Sequence, residues 1–443
     1  MKKIIIVWAL SLAALNAFAQ DTSQKLDQLI SAYTDIQEFR GTALVAMHGQ
    51  ILLEKSYGTA YDTATVYEIA SVTKTFTAAL VLKLAELHRL SLSDKLSKYY
   101  PNYPHGDSIT ISELLSHTAG VYDYTHNQDF MFKRSYDPKT EQEMLALFEN
   151  QPLDFQPGTG WSYSNSGYIL LGDIIQKVTG ISYQQAVRRY IFGPLRMQHS
   201  GFAFKYLDST ERAKGYYAKT GKDYSEPTPL IDSSVTFAAG SIYSTVGDLF
   251  KWHEGLEHDL VISAASQAMA YTPNPYHSYG YGWEIDSLYG RRIVSHSGSI
   301  FGFRSNFARI PEDDVCIVLL SNTETSTLDE LTRSIVALLY GQSYRIPEKK
   351  KAVPLSDAVL NNYTGTYLVK AQQLSLDVRL ENNELVVYPY HGPRSELAAS
   401  DETHFFIKEQ QDFEVEFKKD ATGKVTQMLL TNNGNTRVAD KVK

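Results

Sequence analysis

Strand-forming segments lie at both ends of the stretch from about residue 40 to about residue 320, and helical patterns fill the interval between them. Thr42 to Met47 and Ile51 to Tyr57 are strand-like runs around His48-Gly49, a hairpin signal. They follow a helix marked by Leu26, Leu29, Ile30, Tyr33 and Ile36 at helical spacing. Strand signals return at Arg292 to Val294, Gly302 to Ile310 and Val315 to Leu320, the last two joined by the turn composition Pro311-Glu312-Asp313-Asp314. A helix from about Ser326 to Leu339 follows. This order predicts an α/β fold in which one sheet draws strands from both ends of the chain, is flanked by helices and carries an inserted α domain. A cleft between the two layers is the natural place for a site.

Inside the insertion, residues 71 to 87 form helix readily, with Phe76, Ala79, Leu80 and Leu84 on one side, so Ser71 is expected at a helix start. Thr110-Ile111-Ser112-Glu113 is a capping-box pattern. Ser166 to Val178 reads as a helix closed by Gly180. Residues 342–356 contain Arg345, Pro347, Lys349-Lys350-Lys351 and Pro354, the chemistry of a linker. Beyond it, short strand-like runs such as Leu374 to Leu380, Leu385 to Tyr388, Phe413 to Phe417 and Val425 to Leu430 predict a small all-β domain over 357–443, a barrel or a meander. With 443 residues, two domains are expected.

The first residues have the pattern of an export signal over 1–19: Lys2 and Lys3, an apolar run from Ile4 to Leu15, and Ala17-Phe18-Ala19 before the cleavage point. The run is short for a bilayer span and polar residues follow at once, so a mature periplasmic or secreted protein without a transmembrane helix is expected. The net charge of −8 excludes the basic surface that nucleic acid requires. Cys316 is the only cysteine, so no intramolecular disulfide forms; it lies in an apolar run and reads as a buried, inert thiol.

Ser71-Val72-Thr73-Lys74 places a lysine one helical turn from a serine, where an amine can activate a hydroxyl. Alone the match means little, since a chain of this length contains about one or two by chance. It is accompanied by Tyr163-Ser164-Asn165 and by His296-Ser297-Gly298-Ser299, in that order. Each residue also has a bland account: Ser71 or Asn165 as a helix cap, Tyr163 as one tyrosine among thirty, His296 as a polar strand end.

Jointly, the three motifs resemble those of the serine β-lactamase and penicillin-binding protein superfamily, and Tyr-x-Asn resembles the class C β-lactamase branch with its D-alanyl-D-alanine carboxypeptidase and esterase relatives. Leu114 to Gly120, Ala239 to Thr245 with Asp248, Leu249 and Trp252, and Tyr279 to Trp283 are also similar to segments of that branch, over roughly residues 25 to 340. The resemblance implies a β-lactamase/transpeptidase-like domain over 20–341 that works without cofactor or metal. It implies Ser71 as nucleophile, with Lys74 and Tyr163 moving protons. Asn165, His296, Ser297 and Gly298 would bind substrate, and the backbone N–H groups of Ser71 and Ser299 would form an oxyanion hole. A tyrosine serves as base where nearby positive charge lowers its pKa.

The substrates so implied are a cell-wall D-alanyl peptide, a β-lactam or a small ester. Histidine in the third motif favours the peptidase over the β-lactamase, where lysine is usual. A non-catalytic sensor on the same fold is the reading from another class. His117 is expected to brace its turn, and Tyr122, Asp123 and Tyr124 to be possible substrate contacts. His253 and His258 stand five apart, too far round a helix for a zinc-protease pair, and read as surface charge. No Gly-x-Ser-x-Gly elbow or phosphate-binding glycine loop is present.

Overall fold

The computed structural model describes residues 20–36, 39–217, 227–324, 328–370, 374–389, 394–408, 410–432 and 435–442. The export signal expected over 1–19 lies outside them, as does Ser326. The described residues divide into two compact units, one drawn from 20–28, 40–217 and 227–345 and the other from 29–36, 39 and 346–442. Among them, no helix is long and apolar enough to cross a membrane.

In the first unit, β1 (Gly41–Met47) and β2 (Gln50–Tyr57) form a hairpin whose turn residues, His48 and Gly49, both have positive φ. β3 (Tyr67–Glu68) pairs separately with β4 (Tyr243–Ser244). Then come β5 (Glu284–Leu288), β6 (Arg291–Ile300), β7 (Phe303–Ile310) and β8 (Val315–Ser321). They join the hairpin in one antiparallel sheet of order β2-β1-β8-β7-β6-β5. The seam is β1 against β8, in register from Gly41–Ser321 to Met47–Val315. β8 reads Val-Cys-Ile-Val-Leu-Leu-Ser and is buried throughout, as a strand covered on both faces must be. Cys316 is fully buried, and burial pushes its thiol up, which keeps it protonated and inert.

One expectation for the sheet needs correction. The strand anticipated at Arg292 to Val294 runs on through Ile300, so the His296 motif lies within it rather than at its start. Its period is masked by His296 and Gly298, which occupy buried positions where apolar side chains would mark a strand. β5 carries no strand signal of its own, because three of the five residues in Glu284-Ile285-Asp286-Ser287-Leu288 are charged or hydroxylic.

The helices lie where the capping chemistry puts them. Thr110 and Glu113 form a reciprocal capping box. Helix Asn165–Thr179 is capped by Ser164 and ends on Gly180 in the left-handed conformation. Helix Thr73–Glu86 is buried nearly all round, its threonines and Lys74 included, and runs through the core, where Phe76 stacks on Trp252 at 4.6 Å. Ser71 itself belongs to a 3-10 turn, Ala70–Val72, that precedes this helix.

Gly298 sets how closely β6 approaches that turn. A Cβ there would sit 2.3 Å from the Ile69 carbonyl oxygen and 2.2 Å from Ser305 Oγ. The Gly298→Ala variant is therefore expected to lose about 1–3 kcal/mol of stability, read as a lower Tm, because strand and turn must separate.

In the second unit, β9 (Gly365–Val369), β10 (Leu374–Glu381), β11 (Glu384–Pro389), β12 (Ser395–Ala399), β13 (His404–Ile407), β14 (Gln410–Lys419), β15 (Val425–Asn432) and β16 (Asn435–Lys441) form a closed antiparallel barrel. β16 closes on β9 through Asp440–Leu368 and Lys441–Tyr367. Closure leaves no unpaired edge. The interior is apolar and aromatic, with Tyr363 stacked on Phe417 at 4.6 Å.

Candidate active site

Ala70, immediately before Ser71, is held at φ 46°, a left-handed conformation that costs a non-glycine residue free energy. From this turn Ser71 Oγ accepts a hydrogen bond from Lys74 Nζ at 3.1 Å. Lys74 is fully buried in the first turn of helix Thr73–Glu86. Its Nζ also donates to Asn165 Oδ1 and to the Ala239 carbonyl, both at 2.8 Å. The three bonds fix the amine. Burial pulls its pKa down to about 7, with Asp123 opposing.

The Ala239 carbonyl is aimed by a backbone break. Helix Ser233–Gly240 contains Phe237 at φ 34°, ψ −129°, and beyond it the carbonyls of Ala238 and Ala239 turn toward Thr77 Oγ1 and Lys74 Nζ. The sequence marks this segment only by its resemblance to known relatives, since no side chain announces a carbonyl ligand.

Asn165 is the first residue of its helix, and its amide is held at both ends. Oδ1 accepts from Lys74, while Nδ2 donates to Asp123 Oδ2 at 3.0 Å. Asp123 is buried and its other oxygen accepts from the Thr125 N–H. It thus stands behind Asn165, where the sequence reading offered it as a substrate contact. Replacing Asp123 with alanine leaves the Asn165 Nδ2 unpaired and frees the amide to rotate. The expected result is a 10- to 100-fold slower acylation, equivalent to about 1–3 kcal/mol, measured by stopped-flow labelling, with partial rescue by Asp123→Asn.

The Tyr163 ring lies 4.8 Å from Lys74 Nζ. Burial pushes its phenol well above the ordinary tyrosine range, and a hydrogen bond with Ser71 only partly offsets this. Lys74 is not among the groups that lower it, so this charge does not meet the condition under which a tyrosine serves as base. His117 braces the same loop: its Nδ1 accepts the Ser164 N–H and its carbonyl the Ser162 N–H, each at 3.1 Å, and its ring packs 4.3 Å from that of Tyr163.

His296 is buried on β6. Its Nδ1 donates to the Ser297 carbonyl at 2.6 Å, and its Nε2 accepts from the Tyr279 hydroxyl at 2.8 Å. Burial, aided by Lys74, pulls its pKa down to about 3. The imidazole is neutral and both nitrogens are engaged, so it presents no charge to a substrate carboxylate. Tyr279, unassigned by the sequence reading beyond its family-like segment, is the partner that fixes this state. Ser297, Gly298 and Ser299 continue along β6, in register with Asn306, Ser305 and Arg304.

A cavity of about 290 Å³ opens beside the nucleophile, with Ser71, Asn165 and Ser299 on its wall together with Tyr124, Phe301 and Arg304. Tyr124 is buried with its hydroxyl donating to the Val235 carbonyl at 2.8 Å, and lines this cavity. Of the residues singled out in the sequence, Ser71, Lys74, Tyr163 and Asn165 converge directly, and Ser299 lines the same cavity as Ser71. His296 joins them through the aromatic cluster, its ring 6.3 Å from that of Tyr163.

The segment His253 to His258 is not uniformly surface charge. His258 is exposed, but His253 is fully buried, accepts from Arg309 Nε at 2.8 Å and donates to Asp314 at 2.9 Å. Ligating atoms of His253, Glu257 and Asp314 lie within 4.8 Å of one another. The buried Arg309 guanidinium donates to both His253 and Glu257, so the cluster is an ion-pair network already supplied with its cation.

A serine held by a buried lysine, an Asn-bearing helix and an antiparallel sheet define the β-lactamase and penicillin-binding class of serine hydrolases. The chain belongs to the Beta-lactamase family, whose model matches residues 26–342. A second model, described only as a domain of unknown function, matches residues 349–440. Penicillin-binding protein 4* of Bacillus subtilis is 32% identical over 90% of this chain and 94% of its own length. Among solved structures, the penicillin-binding protein from Bacillus halodurans aligns with a TM-score of 0.62 at 28% identity over 70% of this chain and 98% of its own. The octameric penicillin-binding protein homologue from Pyrococcus abyssi aligns at 0.65 and 22% identity over 94% of this chain and 99% of its own, a likeness of fold.

Proposed function

We propose that the protein is an exported serine peptidase of the D-alanyl-D-alanine carboxypeptidase kind, which cleaves cell-wall D-alanyl peptides through an acyl-enzyme on Ser71 and binds penicillin at the same serine. The observation that carries this reading is Lys74: a buried amine 3.1 Å from the hydroxyl, with its pKa pulled down to about 7. In its neutral form it keeps two donated bonds, to Asn165 and Ala239, and accepts the Ser71 proton as the oxygen attacks the carbonyl carbon. Tyr163 stays a phenol and relays a proton to the leaving amine. Asn165 holds the substrate amide, and the backbone N–H groups of Ser71 and Ser299 hold the developing oxyanion. His296, Ser297 and Gly298 form the strand along which the substrate lies. Water then releases the acyl group. Export rests on the leader pattern at residues 1–19 and places the enzyme in the periplasm or outside the cell.

The neutral His296 favours one second reading, a carboxylesterase, because an ester needs no cation for a carboxylate. Treating the purified protein with a fluorescent penicillin and a fluorophosphonate separates the two. Labelling of Ser71 by both reagents supports the peptidase; labelling by the fluorophosphonate alone moves the assignment to the esterase.

The base assignment fixes a pH profile. Lys74 works only when deprotonated, and its pKa of about 7 puts that form in the majority above neutrality. Acylation is expected to fall about tenfold per pH unit below pH 7 and to level off above it. A profile flat through that range would remove Lys74 as the base.

A further inference from the structure

The cavity that holds Ser71, Asn165 and Ser299 continues along Ile300 and Phe301 to two opposite charges, Arg304 and Glu324. These charges lie on the acyl side of the site. Tyr163, which hands a proton to the leaving amine, has its ring 6.3 Å from that of His296, whereas the cavity wall is taken from the other end of β6, Ser299 to Phe301. Arg304 is therefore no substitute for the charge that neutral His296 lacks. Whatever it meets belongs to the part of the substrate that stays on Ser71.

Arg304 stands opposite Ser299 in the register of β6 and β7, so the two side chains share a face of the sheet. Its Nη1 donates to the Ile300 carbonyl at 3.2 Å and to the Phe303 carbonyl at 2.9 Å, which fixes the guanidinium. Nη2 makes no hydrogen bond among the described residues, and Glu324 Oε2 stands 3.9 Å from it. The other Glu324 oxygen accepts the Gly302 N–H at 2.9 Å, so the carboxylate is fixed as well. A closed ion pair brings nitrogen and oxygen to about 2.7–2.9 Å. This pair stays open, with its side chains only 26% and 24% exposed. One donor and one acceptor are thus left side by side in a half-buried place, where charge is screened less than on an open surface.

We propose that Arg304 and Glu324 form a subsite for the acyl arm of the substrate and select an arm that ends in a free α-amino acid, its carboxylate on Arg304 and its ammonium on Glu324. The inference rests on the peptidase reading of Ser71 and adds the substrate's acyl portion to it. An α-amino acid carries an anion and a cation on one carbon, which matches an unused donor beside an unused acceptor. A lone carboxylate would meet Glu324 as a like charge, and a lone ammonium would meet Arg304 in the same way. The walls leading to the pair include Met131, Ile231, Ile300 and Phe301, which suit a methylene stem. The volume of about 290 Å³ lies at the lower end of ligand pockets, roughly 300–1,000 Å³, and fits a side arm rather than a whole peptide.

The test gives the full chain acyl arms of equal length that end in an α-amino acid, a carboxylate alone, an ammonium alone or a methyl group. Each arm is offered on D-alanyl-D-alanine and on the matching D-alanyl thioester. The α-amino acid arm is expected to exceed the methyl arm in kcat/KM by about 10- to 100-fold on both, the range that hydrogen bonds to charged groups allow. In Arg304→Gln the same two arms should fall within about threefold of each other. In Glu324→Gln the carboxylate arm should rise to at least the level of the α-amino acid arm. Each preference is a ratio within one variant, so loss of folded protein cancels, and a pair that only braced the turn between β6 and β7 would lower all four arms alike. Equal rates for the four arms in the unaltered protein overturn the subsite, whether or not the peptides are cleaved. So does a preference that survives unchanged in both variants. An arm preference on the thioesters with no cleavage of any peptide upholds the subsite and removes the peptidase reading instead. No acylation by any of the compounds overturns both.

Discussion

With Ser71 replaced by alanine, neither penicillin nor fluorophosphonate leaves a covalent adduct, and turnover of a D-alanyl peptide falls on the order of 10⁴-fold. The loss is large because no other hydroxyl takes the place of this one: it sits on a turn held in register by Ala70 at φ 46°, next to the cavity and within reach of the Lys74 amine. The variant keeps its fold. Ser71 Oγ is an acceptor for Lys74, which retains Asn165 and Ala239, so Tm should move by no more than about 1–3 °C. Intact-mass spectrometry after labelling reads the adduct, and a coupled assay reads turnover. Unchanged biological function in the alanine variant would instead make the protein a binder that keeps the fold, the sensor considered from the sequence.

Replacing Lys74 with methionine is expected to slow acylation by about 10³- to 10⁴-fold while leaving substrate affinity within a fewfold. Methionine fills the space of the lysine stem, so packing against Tyr163 and Tyr168 is kept. The deletion also takes a titratable amine out of the interior, yet it strands Asn165 Oδ1 and the Ala239 carbonyl without a donor, a cost of about 1–3 kcal/mol. Stability and rate must therefore be measured side by side. The decisive readout is the pH profile: the limb at about pH 7 belongs to Lys74, so residual activity in the variant should no longer follow it. A limb that persisted in the methionine variant would assign the titration to another group and return the base role to Tyr163.

Much of this was legible in the chain because the constraints are local. The Ser71 and Lys74 spacing is set by a helical turn, the capping boxes by three-residue patterns, and the two-ended sheet by apolar runs such as Val315 to Ser321. What escaped depends on contacts between distant segments. His296 could be named from its motif, but its charge could not, because neutrality comes from burial and from Tyr279. Asp123 was noticed for the wrong reason, since only the folded loop shows it turned toward Asn165. The Ala239 carbonyl is oriented by the φ of Phe237, which no composition reveals. In the barrel, Ser395–Ala399 and His404–Ile407 are short and Asn435–Lys441 is largely polar, so their pairing partners, rather than their own periodicity, make them strands.

The seam between β1 and β8 has a consequence for biosynthesis. Residue 41 pairs with residue 321, so the first hairpin emerges from the ribosome long before its neighbour exists, and one of its edges stays bare while the whole helical insertion is translated. At about 5–20 residues per second, that wait lasts tens of seconds. The central sheet is thus a late event in a chain of high contact order. During the wait the exposed edge of Gly41–Met47 is the place where a holding chaperone, or a wrong partner strand, would engage first.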